Sequence, residues 1–164
     1  MVAELTNLES KLGEVIGLAM AAQGATDKVG KLDELDGDLE RELERMNKEA
    51  KEAEERATEV AASFEGKKTA ILDEAREVKQ KASEMMQDYL DRAADPLDGF
   101  EFLTMAEAGE VGHWEILKTL NERARNSSVQ ELVEWGIPIQ QRHLETVRQG
   151  SLKLASEEDP NETS

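Results

Sequence analysis

The chain has 164 residues, no cysteine, three prolines, 38% apolar and 35% charged residues, and a formal net charge of −17. Disulfides, thiolate metal sites and thiol nucleophiles are thereby excluded, and the acidic surface argues against nucleic-acid backbones and anionic membranes as partners. The length suits one domain, no run approaches the roughly 18 apolar residues of a membrane span, and no basic-plus-apolar leader opens the chain, so a cytoplasmic protein is expected.

Five amphipathic helices and no strand are expected: an all-α fold, with residues 1–157 as one bundle and 158–164 as a flexible acidic tail. The first helix spans about residues 5–23, with Leu8, Leu12, Val15, Ile16 and Ala19 on one face, and 24–30 reads as a break. The second carries Leu32, Leu35, Leu39, Met46, Ala50, Ala53, Ala57, Val60 and Phe64 at heptad-like spacing. That stripe serves either as core or as a homodimer interface. Glu65-Gly66-Lys67-Lys68 interrupts it as a helix hairpin would. A third helix follows over about 69–93, with Ile71, Ala75, Val78, Ala82, Met85 and Tyr89 on one side. Asp95-Pro96 signals the start of the fourth, an N-cap carboxylate followed by proline at the first helical position. The fourth ends near Arg125-Asn126, Ser128-Val129-Gln130-Glu131 reads as a capping box for the fifth, and Pro138 predicts a kink.

The chain has two histidines, and both sit on or beside apolar stripes that also carry carboxylates. At roughly 100° per residue, Leu103, Glu107, Glu110, Trp114 and Leu117 share one arc of the fourth helix, with His113 at its edge. On the fifth, His143 lies amid Leu132, Ile139 and Val147, with Gln140 nearer the edge. The short connection predicts an antiparallel pair in which Glu110 stands level with His143 and His113 with Gln140. An unpaired charge on an apolar face is costly to desolvate, and a metal ion would offset that cost; facing carboxylates and imidazoles suit iron, manganese or zinc. The competing reading is a set of hydrogen-bonded core residues. Glu9 also falls within an apolar arc, although Thr6-Asn7-Leu8-Glu9 is itself a capping box. In the second helix Glu54 leans toward the stripe and Glu49 away from it, and its many acids leave the choice open.

The stretch Leu103-Thr104-Met105-Ala106-Glu107-Ala108-Gly109-Glu110-Val111-Gly112-His113-Trp114, with Ile137-Pro138-Ile139-Gln140-Gln141-Arg142-His143-Leu144-Glu145, resembles the ferritin-like superfamily. The likeness is to its small, rubrerythrin-related members from bacteria and archaea, and covers about the last 60 residues. The resemblance implies a four-helix bundle of two hairpins joined by a crossover helix, with two metals bound by a Glu from each of two helices and Glu-x-x-His from each of the others. Position by position it makes Glu110 and His113 one Glu-x-x-His element, Glu107 an extra carboxylate, and His143 the imidazole of the second element. Gln140 stands where that second element has Glu, and the first two helices carry no histidine. A single metal, an asymmetric pair and a vestigial site are the alternatives. The resemblance implies metal ions as partners, ligated by Glu107, Glu110, His113 and His143, with Glu9 a weaker candidate and Gln140 or Glu145 orienting them. Iron or manganese handling, or oxidative-stress defence, would be the function, with no substrate named. The other reading is a non-catalytic bundle acting in stress protection or as a protein-interaction scaffold.

Overall fold

Local capping sets where the helices begin. In the computed structural model, which describes residues 3–90 and 94–163, the chain forms α1 (Asn7–Gly30), α2 (Gly37–Ala62), α3 (Lys68–Tyr89), α4 (Pro96–Ala124) and α5 (Ser127–Ser156), with no strand among them. Thr6 and Glu9 close a capping box on α1, and Asp95 and Asp98 close another on α4. The fifth helix starts two residues earlier than Ser128 suggests: Asn126 is its N-cap and its side chain accepts from Val129 N–H at 3.0 Å. Arg125 in the left-handed region (φ 53°) reverses the chain, and the Asn121 side chain bonds both the N–H and the C=O of Asn126.

Two boundaries differ from expectation for physical reasons. The first helix runs on to Gly30 rather than breaking at Gly24, because Ala25 and Val29 are buried, and Asn47 of α2 binds the Gln23 carbonyl at 2.8 Å and the Thr26 hydroxyl at 3.0 Å. Leu32 and Leu35 consequently lie in the α1–α2 connection, partly buried against the core, and not on α2. The third helix is assigned to Tyr89; the 91–93 end of the expected element lies outside the described residues.

The helices α1, α2, α5 and α4 pack in a ring, each against the next, and α3 lies mainly along α1. Cross-helix bonds give the directions. Gln23–Glu54 and Thr26–Asn47 run α1 against α2; Asp36–Lys153 and Glu49–Arg142 run α2 against α5. The heptad-like stripe of α2, from Leu39 to Ala61, is buried inside this chain's own core.

The approach of α3 to α1 depends on two glycines. A Cβ on Gly13 would stand 2.8 Å from the Ile71 carbonyl oxygen, and one on Gly17 would run into the carbonyl of Ala75. Backbone cannot yield as a flexible side chain does, and α3 buries little besides Ala70, Ile71 and Ala75. Gly17→Val is expected to cost roughly 1–3 kcal/mol and to loosen α3 selectively. Limited proteolysis should then cut within α3 before the other helices; uniform resistance would count against this account.

Candidate metal centre

The apolar core divides into two clusters, one around Trp114 and Leu117 and the other around Phe100, Leu103 and Val147. Between them lies a polar layer of Glu107 and Glu110 from α4 and Gln140 and His143 from α5, each at most 3% exposed. Its register is set by aromatic rings laid on glycines. On α4, positions 100, 107 and 114 are Phe, Glu and Trp; on α5, positions 136, 143 and 150 are Gly, His and Gly. Trp114 covers the space a Cβ on Gly136 would need, and Phe100 does the same at Gly150, where a Cβ would stand 2.5 Å from its ring. Both sets repeat every seven residues in antiparallel helices, so Glu107 comes opposite His143 and Glu110 level with Gln140. The expected pairing of Glu110 with His143 is therefore displaced by one helical turn.

His113 also lies outside the layer, because the edge of the α4 stripe that carries it faces α1 and not α5. Half-exposed, it turns to α1, with Nδ1 at 3.2 Å from both Glu14 Oε2 and Lys11 Nζ. Glu9 is buried but lies at the start of α1, where its carboxylate accepts from Thr6 N–H at 3.0 Å and meets Lys67 at 3.4 Å. Burial pushes the Glu9 carboxyl up, but the Thr6 bonds and Lys67 outweigh it and hold the carboxyl below its usual range. Glu145, a candidate orienting residue, lies on the surface in a fork with Arg148, which together with Gln149 draws its pKa down to about 2. Gln140 is fully buried and not at the edge, while Ile139 is the half-exposed neighbour.

The structure adds Glu49 of α2. Its Oε1 lies 3.1 Å from His143 Nε2, and its Oε2 is bonded by Arg142. Glu54, which leans further into the stripe on a helical wheel, instead accepts from Gln23 at 2.8 Å. The two acids border one apolar stripe on opposite edges, and the edge facing α5 is the one that meets the imidazole. The heptad match of ring to glycine between α4 and α5 was the sequence signal that could have set the α4–α5 register; nothing local singles out Glu49.

The electrostatics of the layer are divided. Burial pushes Glu107 up to about 7, a hydrogen bond with Glu110 holding it back in part. Burial, then the charge of Glu107, keeps Glu110 well above the ordinary carboxylate range. Burial likewise lowers His143, against the pull of Glu49, and favours the neutral ring. Burial would raise Glu49, yet the bonds from Arg142 and His143 prevail and keep it ionised. A neutral His143 donating from Nε2 to Glu49 turns its Nδ1 lone pair toward Glu107 Oε2, 4.0 Å away.

Among the described residues, Glu107 Oε2, Glu110 Oε1 and Gln140 Oε1 are buried acceptors with no hydrogen-bond donor, and the indole N–H of Trp114 has no acceptor. Three orphaned oxygens in one layer call for a cation or a set of donors. With Nδ1 of His143 they form a mixed oxygen and nitrogen donor set of the kind divalent iron or manganese accepts. No three His, Asp or Glu side chains among the described residues already converge on a point where an ion could sit. No helix among the described residues is long and apolar enough to cross a membrane.

No family model matches the chain, and neither a curated protein nor a solved structure matches it.

Proposed function

We propose that the protein is a ferritin-like metal-binding bundle that takes up divalent iron or manganese through Glu107, Glu110 and His143, with Gln140 alongside. The observation that carries this reading is the layer of buried acceptor oxygens without donors, beside an imidazole whose far nitrogen is already held by a carboxylate. The carboxylate–histidine–metal arrangement orients the ring and raises its basicity, which makes Glu49 the orienting partner and not a ligand. The direction of α3, parallel to α1 and outside the ring of four helices, suits the crossover such a bundle needs; its 22 residues span about 33 Å. A bound iron or manganese ion with open coordination positions would supply redox chemistry toward oxygen or peroxide. The chain's own contribution is to keep His143 neutral, to hold Glu107 and Glu110 dry, and to fix their register against α5.

A second reading, a non-catalytic bundle with a vestigial site, draws support from the Arg142–Glu49–His143 network, which is satisfied without any ion. One titration separates the two. Chelator-treated protein should bind Mn²⁺ or Fe²⁺ saturably, His143→Ala should abolish uptake, and Glu49→Gln should weaken it about 10–100-fold. Absence of uptake after anaerobic reconstitution with either ion would overturn the metal reading and leave the scaffold.

A further inference from the structure

The two buried carboxylates also line a second feature. Between α1, α3 and α4 lies a pocket of about 220 Å³. Its walls are mainly apolar, with Leu18, Ala22, Met86, Phe102 and Leu103 among them, and Ser83, Glu107, Glu110 and His113 are the polar residues that line it. Met85 and Met105 stand at its rim, 52% and 41% exposed, and the Tyr89 ring, 58% exposed, lies 5.7 Å from that of Phe102. Such a cluster of large exposed apolar side chains suits the mouth of an apolar binding site better than a bare surface. Glu107 and Glu110 line its inner wall, and each carries one buried oxygen, Oε2 and Oε1, with no donor among the described residues.

We propose that this pocket binds a small cationic amphiphile, a protonated primary amine on an apolar chain of about eight carbons, with the ammonium group seated on Glu107 and Glu110. The size follows from volume. A cavity of roughly 150 Å³ accommodates benzene, so 220 Å³ suits about nine non-hydrogen atoms. The head group follows from the oxygens. An ammonium brings three N–H donors and a positive charge, which would draw the two carboxyl groups toward the pocket, give their unpaired oxygens donors and favour their ionised form in an apolar wall. A fatty acid would bring a third negative charge, and an alcohol would bring one donor and no charge. The −17 net charge of the chain gathers cations around the protein in the same sense.

This inference goes beyond the metal reading and does not depend on it. Glu107 lies between the pocket and His143, so an amine and a divalent ion compete for the same carboxylates.

The test uses full-length, chelator-treated protein and calorimetric titration with octylamine, octanol and octanoate at pH about 7, where an alkylamine is protonated. Octylamine should bind saturably, at least about tenfold more tightly than octanol, and octanoate not at all. Glu107→Gln with Glu110→Gln should remove that preference for the amine, and Ala22→Phe, which fills the pocket, should abolish amine binding while leaving Mn²⁺ titration unchanged. Equal affinity for octanol and octylamine, an amine preference that survives the double glutamine replacement, or no saturable octylamine binding would each overturn the proposal. The amine titration is read without metal and the metal titration without amine, so failure of either reading is seen separately.

Discussion

Replacing Glu107 and Glu110 together by glutamine is expected to stabilise the metal-free protein, and to do so increasingly as pH rises. The folded-state pKa of Glu107 is raised from 4.5 to about 7 by burial, and that of Glu110 is raised as well. A raised carboxyl binds its proton more tightly in the folded than in the unfolded chain. Its stabilising contribution is complete below the unfolded value and is lost as pH climbs through the folded one. For Glu107 alone the loss between pH about 5 and 8 amounts to roughly 2–3 kcal/mol. His143 acts with the opposite sign: its lowered pKa removes stability as pH falls below the unfolded histidine value. The comparison of variant with parent isolates the carboxyls, because both proteins keep His143. Urea unfolding in chelator should show the stability difference widening by at least about 2 kcal/mol from pH about 5 to 8. A difference independent of pH would show that the two carboxyls carry no shared proton burden. Glutamine also brings N–H donors beside the orphaned Gln140 Oε1, which acts in the same stabilising direction.

Gly136→Val should cost about 3 kcal/mol or more and lower Tm by roughly 6–12 °C. The added side chain meets the Trp114 ring, which lies across the α5 backbone, and Trp114 is wholly buried with no room to retreat. The consequence reaches the candidate site: forcing α4 away from α5 increases the distance between Glu107 and His143, two turns from the contact. Metal affinity should therefore fall in the folded fraction. Combining Gly136→Val with Trp114→Leu should recover part of the lost stability, a non-additive result that a double-mutant cycle measures. Strict additivity would mean that the ring-on-glycine contact does not set the spacing of the two helices.

These expectations rest on a feature of the chain that is easy to read in one dimension and hard to assemble in three. The positions of Glu107, Glu110 and His143 on buried faces were legible because helical periodicity fixes the angle of each residue about its own axis. The same periodicity says nothing about height. A fold-back near Arg125 is compatible with registers one turn apart, and the packing of Phe100 on Gly150 and Trp114 on Gly136 selects one of them. Glu110 thereby yields its expected partner to Glu107, while His113, at the edge of its stripe, meets Lys11 and Glu14 because that edge packs on α1.

What the sequence by itself determined is the set of helices and most of their faces: five elements with no strand among the described residues, the caps at Thr6 and Asp95, the interruption at Gly66, and the burial of acids among apolar neighbours on α4. Caps and amphipathic stripes are local, set by backbone groups within one turn and by side chains three or four residues apart. Only the tertiary structure decided that Glu49 rather than Glu54 meets His143, that Glu9 serves its helix start and Lys67, that Gln140 is buried in the polar layer, and that an apolar pocket opens beside Glu107 and Glu110. Each of those depends on which edge of one helix meets which neighbour and at what height. That choice is made by side-chain packing between helices, where a ring needs a glycine to lie on and a buried charge needs a partner within reach.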